Sequence, residues 1–497
     1  MLSMPDTLTK RRFYFPSSSI YSSGVRLRVV KGIIRTEPVI SLGKKGEWDE
    51  QRVQLFGSVL FDDREKRFKM WYLGMPDGPE SEERADSPGG RFYNFKQGYA
   101  ESEDGLHWVK PPLYQAEWRG SKQNNLLNMP YAAPGAPYVI EDSGSGFPHQ
   151  FKMILTHGGG GMLLFSDDGI HWEAHKDGKV LFTGGRHRGE ESGFDYYIQI
   201  PYVFLRDHLT RDSNKRYRIY TQASSGPPAW IRRTGLIASP DAKEWTVHTE
   251  PVIGLPDGAT GISGQIHGTA MTIYKGYYVA FIHYCLPQPK TGRFAPRVHL
   301  ALSTDGENFR IFEDEDSALI PLGPDGSWSE GGLVSGCVLP VRDELWCYFS
   351  GLPIDRCWSG SEEKYGRPTI NTGLARWPGE RILEASLKPG FSKGHLMLDP
   401  FAVDAEGEPE ILINANCENP QEDLKISLLD ADTRLTIPGF SFDQFSLASE
   451  DGIYSRGRWT PAVRLRARTG VIPCIEIRGK SALLYGAEVV CKTWGNG

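Results

Sequence analysis

Apolar residues along this chain gather in short runs separated by Gly, Asp and Asn, and the runs come in pairs. The pairs are GSVLFDD with FKMWYLG, APYVIED with FKMILTHG, IPYVFLRD with YRIYTQAS, GTAMTIYKG with YYVAFIHY, and SGCVLPVRD with LWCYFSG. Runs of this kind, rich in β-branched and aromatic residues and bounded by turn formers, predict strands; helical periodicity is nearly absent. Near four of the pairs a further strand runs into Ser-x-Asp and then an aromatic: GYAESEDGLHW from Gly98, MLLFSDDGIHW from Met162, GLIASPDAKEW from Gly235 and HLALSTDGENF from His299. The serines, Ser102, Ser166, Ser239 and Ser303, are spaced by 64, 73 and 64 residues. A degenerate fifth copy, GLARWPGERI from Gly373, lacks the turn.

Asp-Gly within a polar break is a hairpin signal, because Gly accepts positive φ and the Asp side chain bonds nearby backbone N–H groups. A unit of three or four antiparallel strands cannot cover both of its own faces, so five such units predict a radial stack, a five-bladed β-propeller. The first innermost strand is expected near Phe56, and Val25 to Ile40 is expected to close the last blade. After about Ala385 the repeat gives way to alternating strands (ILINAN, LKISLLD, AVRLRAR, CIEIRG, ALLYGAEVV) that predict a C-terminal β-sandwich. The expected organisation is all-β, with the propeller over residues 1–384 and the sandwich over 385–497.

Charge narrows the partners. The 497 residues carry a formal net charge of -6 with both signs scattered, so no basic stripe marks a nucleic-acid surface. The 7 cysteines show no paired CxxC spacing and mostly sit in apolar runs, which reads as buried thiols in a reducing, cytoplasmic setting and not as a disulfide frame or a zinc site. Lys10, Arg11 and Arg12 are not followed by an apolar leader segment, and no run reaches the length of a membrane span. A soluble chain with no membrane partner is expected.

The ordered blades, the SxDGxxW turns and the appended sandwich resemble the five-bladed propeller glycoside hydrolases, the superfamily of families 32, 43, 68, 117 and 130. The layout is most similar to family 32, the β-fructofuranosidase group. The resemblance implies a carbohydrate substrate and catalytic carboxylates at the starts of the innermost strands of the first three blades. The positions read as opening those strands are Phe56, Gly135, Gln199, His267 and Ser335, none of them acidic, and the WMNDPNG, RDP and EC signatures of family 32 are absent.

Glycoside cleavage needs two carboxyl groups roughly 5 to 9.5 Å apart, one to protonate the leaving oxygen and one to attack or to activate water. Three loops leading into inner strands hold acids: GEWDEQRVQLFG, RGEESGFDYYIQIP and DGSWSEGGLVSG. From them Asp49 is the candidate base or nucleophile. Asp195, beside Tyr196 and Tyr197, and its rival Glu191 are candidate acids, and Glu330 is a further candidate. Each has a plain alternative as a solvated or turn-forming acid. For substrate binding the candidates are His267, Gln199 and Gln265, with Asn124, Asn125 and Asn128, and the aromatic platforms Trp230 and Trp358. Their alternatives are core packing and turn formation. The polar stretch from Pro76 to Asn94 reads as a flap, and THGGGGML joins two strands and so is no phosphate cradle.

These readings lead to an exo-acting glycoside hydrolase that removes a terminal sugar, a furanoside among the options, with no cofactor and no resident metal. Three rivals use the same scaffold. A phosphorylase would draw a phosphate clamp from Arg186, His187, Arg188, Arg232 and Arg233. A lyase, cyclase or transferase would use His267 with a tyrosine as acid and base. A carbohydrate-binding protein would show no turnover.

Overall fold

A computed structural model of the chain describes residues 9–78, 95–130, 135–142, 149–157, 160–175, 181–182, 186–188, 195–225, 232–248, 250–254, 265–287, 294–312, 318–353, 369–403, 406–448, 453–467 and 469–493. The chain divides into two units, residues 32–376, and residues 1–31 together with 377–497.

The first unit is the propeller. Its blades are built in sequence order, each from antiparallel neighbours. Blade 1 is Arg52–Asp62, Arg67–Met75 and Lys96–Ser102; blade 2 is Pro137–Glu141, Phe151–His157, Gly160–Ser166 and Glu173–Ala174. Blade 3 runs Asp195–Arg206, Tyr217–Ser225, Arg232–Ser239 and Thr246–Val247, with Arg186–Arg188 added beside its inner strand. Blade 4 is Gln265–Tyr274, Tyr277–Pro287, Phe294–Ser303 and Arg310–Phe312. Blade 5 is Gly332–Val341, Glu344–Leu352 and Asn371–Pro378, closed by Ile33–Ile34. The first strand of each blade packs on the first strands of its two neighbours, and the fifth returns to the first, so the ring closes.

The repeated residues make the joints. In each Ser-x-Asp turn the aspartate accepts two backbone N–H groups, as Asp104 does from Leu106 and His107, and the residue after it, glycine in three of the four, takes a positive φ, 73° at Gly105. The carbonyl so exposed accepts from an aromatic of the preceding blade: Trp71 donates to Gly169 at 2.7 Å, Tyr220 to Gly306 at 2.9 Å, and Tyr348 to Gly105 at 2.7 Å. The last of these ties blade 5 to blade 1. Buried cations on the second strands find aspartates at the ends of the first: Lys69 with Asp62 at 2.9 Å, Lys152 with Asp142 at 2.9 Å and Arg218 with Asp207 at 2.6 Å. A buried charge without such a partner would cost several kcal/mol or neutralise.

The second unit is a sandwich of two antiparallel sheets around one core that includes Leu396, Ile411, Ile426, Ile475, Leu484 and Val489. Its N-terminal contribution differs from the expectation for Val25 to Ile40. Val25–Val29 pairs with Leu383–Leu387 in a sandwich sheet, and only Ile33–Ile34 and the Ile40 bridge to Thr372 complete blade 5. The cause is alternation: Val25 is buried in the sandwich core with Leu27 packed against it, while Arg26 is exposed. Thr9–Tyr14 and Ser19–Ser23 likewise pair with Leu483–Thr493 and Gly394–Leu398. Among the described residues no helix is long and apolar enough to cross a membrane.

Candidate active site

One turn is built twice. Ahead of the inner strand of blade 1, the Gly43 N–H donates to the Asp49 carbonyl at 3.2 Å; ahead of that of blade 5, Gly323 donates to the Ser329 carbonyl at 3.1 Å. Within each turn a glutamate closes the loop by accepting a backbone N–H, Glu50 from Gly46 and Glu330 from Gly326. A tryptophan then lies as a wedge on two glycines. A Cβ on Gly74 or Gly98 would fall 2.1 or 2.4 Å from Trp48, and one on Gly351 or Gly373 would fall 2.4 Å from Trp328. Each indole stacks on a second-strand aromatic, Trp48 on Tyr72 at 5.5 Å and Trp328 on Phe349 at 5.7 Å. Glu330, a candidate acid, thus has its carboxylate engaged in its own turn.

The copies differ where the chemistry is. Position 49 is Asp against Ser329, and position 72 is Tyr against Phe349. Asp49 is 1% exposed. Its Oδ2 accepts the Tyr72 hydroxyl at 2.8 Å and the Lys110 ammonium at 2.6 Å. Asn125 joins the network, donating to the Tyr72 hydroxyl oxygen at 2.7 Å and accepting the Trp48 indole N–H at 2.9 Å. Burial pushes the Asp49 carboxyl above the usual range and outweighs the pull of Lys110; burial and Asp49 hold Tyr72 well up, as a neutral donor.

A second polar cluster stands between blades 3 and 4. The inner strand of blade 4 bulges at His267: Ile266 pairs with Tyr284 and Gly268 with His283, so His267 drops out of the ladder. Its freed carbonyl is taken by blade 3, from the Tyr202 hydroxyl and from the Gln222 amide at 3.4 Å. The His267 ring lies 5.7 Å from that of His283, and its Nε2 is 3.4 Å from Arg232 Nη1. Arg232 also reaches Gln265 Oε1 at 3.5 Å. Burial, then His283 and Arg232, hold His267 well below the ordinary imidazole range; burial and Arg232 bring His283 to about 3. Both rings are therefore neutral near pH 7.

Similar bulges or register shifts interrupt the inner strands of blade 1 between Gln54 and Ser58, blade 3 between Ile198 and Val203, and blade 5 between Ser335 and Cys337. The inner strands begin upstream of Phe56, Gln199, His267 and Ser335, at Arg52, Asp195, Gln265 and Gly332, while that of blade 2 begins after Gly135, at Pro137. The bulges explain the offset, since they break the alternation that marks a strand in sequence.

No family model and no curated protein matches this chain. Solved structures do. A family 130 glycoside hydrolase, from a study of mannoside phosphorylases and hydrolases targeting β-1,2 mannosidic linkages in Candida mannan, is 15% identical, with 70% of this chain and 94% of that one covered and a TM-score of 0.40. A family 32 β-fructofuranosidase from Bombyx mori is 11% identical over 89% of this chain and 92% of its own, TM-score 0.38. An exo-inulinase from Aspergillus awamori is 12% identical over 92% and 98%, TM-score 0.40.

The other sequence candidates distribute as follows. Asp195 is the first residue of its strand, opposite Arg188, and Gln199 lies in the bulged stretch of the same strand. Gln265 is buried beside Arg232. Asn124 bonds the carbonyls of Ala116 and Ser121, a turn-forming role. Glu191, Trp230, Trp358 and most of the Pro76 to Asn94 stretch lie outside the described residues. Among the described residues no cluster of three or more His, Cys, Asp or Glu could hold a metal ion. A cavity of about 380 Å³ is walled by all five inner strands, among them Val59, Val139, Met271 and Val338, but along their later halves, away from His267. Sequence reasoning missed Tyr72, Lys110, His283 and the pairing of Arg232 with His267. GxxGxWxE recurs at Gly43 to Glu50 and Gly323 to Glu330, and a comparison of the copies singles out Asp49 against Ser329, but Tyr72 lies outside the repeated stretch.

Proposed function

We propose that the propeller is a carbohydrate-active enzyme that hydrolyses a glycosidic bond, with Asp49 as one of its two carboxyl groups. The observation that carries this reading is the difference between the two copies of one turn. Blade 5 forms the same loop, glutamate cap and stacked indole with Ser329 and Phe349, so the fold does not require Asp49, Tyr72 and Lys110 together. Burial holds the Asp49 carboxyl above the usual carboxylate range, the direction that favours proton donation. In place of the base or nucleophile role expected from the sequence, Asp49 gives its proton to the leaving oxygen as the anomeric C–O bond breaks. Water adds to the anomeric carbon and loses a proton to a second carboxylate, Asp195 or Glu191, the two residues expected from the sequence as acids and here given the role of base. Tyr72 and Lys110 hold the Asp49 carboxyl in place and carry its charge once the proton has gone. His267, Gln265 and Gln199 bind hydroxyls. An exo-acting enzyme on a terminal sugar remains the form of the reaction we favour.

The test is product release from a panel of terminal-sugar glycosides and oligosaccharides. Wild-type protein should release a monosaccharide, and Asp49→Asn should cut the rate by about 10² to 10⁴-fold, the usual worth of a general acid. Turnover by Asp49→Asn at the wild-type rate would remove Asp49 from the reaction; no release from any substrate would remove the hydrolase.

A further inference from the structure

Lys69, Lys152 and Arg218 each lie within 2.9 Å of an aspartate. Arg232 differs. It is half-buried at the start of the third strand of blade 3, and among the described residues no carboxylate pairs with it. Its neighbours among the described residues are uncharged, Gln265 Oε1 at 3.5 Å and His267 Nε2 at 3.4 Å, both at the long limit of a hydrogen bond. Behind His267 stands His283, fully buried, with Nδ1 lacking a hydrogen-bond partner among the described residues. A buried polar nitrogen without a hydrogen bond is a cost to the fold, and a half-buried guanidinium with no carboxylate beside it among the described residues forfeits the pairing that offsets its desolvation. Both lie in one cluster where blades 3 and 4 meet, Arg232 and Gln265 at the starts of their strands and His283 in the later part of Tyr277–Pro287, and the uncompensated guanidinium describes a place prepared for an anion.

We infer that Arg232, with His267 and Gln265, forms a subsite for an oxyanion on the ligand: the carboxylate of a uronic acid, a sulfate or phosphate ester, or free phosphate. Arg232 presents paired N–H donors in the geometry that suits carboxylate and phosphate oxygens. Gln265 can turn its amide N–H toward the same group, and the guanidinium leaves its long contacts for short, charge-assisted ones. The subsite deepens the reading of these strand starts as a sugar site, and it makes the favoured sugar an acidic one.

Binding alone tests it, apart from turnover. The full chain is titrated by calorimetry with glucuronate, glucose 6-sulfate, inorganic phosphate and neutral glucose, and thermal shifts are read in parallel. At least one oxyanion should bind ten-fold or more tightly than glucose, with Arg232→Gln weakening it by about ten-fold or more and Arg232→Lys keeping part of it. Preference among the anions separates an acidic sugar from a free phosphate co-substrate. Equal binding of glucose and every anion, or anion binding equal in wild type and Arg232→Gln, overturns the subsite. Should Arg232→Gln not fold, salt-sensitive anion binding in wild type and Arg232→Lys decides in its place, and its absence counts against the subsite. Anion binding without any sugar release would leave this subsite standing and sink the hydrolase; sugar release indifferent to anionic groups would do the reverse.

Discussion

At Ala242 the repeat departs from its own rule. The other three Ser-x-Asp turns put glycine there, at φ of 73°, 81° and 75°, and Ala242 takes φ 62° with its side chain fully buried. A left-handed conformation costs an L-residue about 1 kcal/mol that glycine does not lose. Ala242→Gly should therefore stabilise the protein by about 0.5 to 1 kcal/mol despite the greater freedom of glycine in the unfolded chain, as read by denaturant titration. A loss of stability of that size would mean that the methyl packs too well to remove. Asp49 illustrates the opposite case, a side chain whose meaning comes wholly from its partners: Tyr72 is 23 residues away and Lys110 is 61.

The strands and turns were legible because each is specified locally. GSVLFDD and FKMWYLG read as a hairpin, and the Ser102 and Asp104 side chains do bond the backbone of their own turn. Five hairpins in order predict five blades, since a sheet with two apolar faces needs neighbours. What sequence could not yield was register. A bulge changes which face a residue occupies without changing composition, so the inner strands were expected to begin at Phe56 and Gln199 when they begin at Arg52 and Asp195. The N-terminal strands were opaque for another reason: Val25–Val29 and Ile33–Ile34 are equally strand-like, and only long-range pairing sends the first to the sandwich and the second to blade 5. Of the candidate site, Asp49 was legible as an acid in the right loop, and His267 as a polar residue at an inner strand. The cluster around Arg232 was not, because it is assembled from two blades.

The ring as a whole stores neutral histidines. Burial brings His299 to about 4, and burial with Arg232 brings His283 to about 3, whereas an unfolded imidazole titrates near 6.5. The stability they contribute is complete above about pH 6.5, because neither state is protonated there. It is lost as pH falls from 6.5 toward 4 and 3, where the unfolded chain binds protons that the folded one refuses, by about 1.4 kcal/mol per pH unit for each ring. The measurement is unfolding free energy against pH, and His299→Gln should lower the slope in that window by one proton; an unchanged slope would place His299 in water. For the molecule's function, the most direct test exchanges one blade's chemistry for another's. Carrying the blade 5 residues into blade 1 as Asp49→Ser with Tyr72→Phe, and measuring sugar release beside the melting temperature, asks whether the diverged turn acts or merely supports. We expect a folded protein, melting within a few degrees of wild type, that releases sugar at least 10²-fold more slowly; release at the wild-type rate would contradict the account.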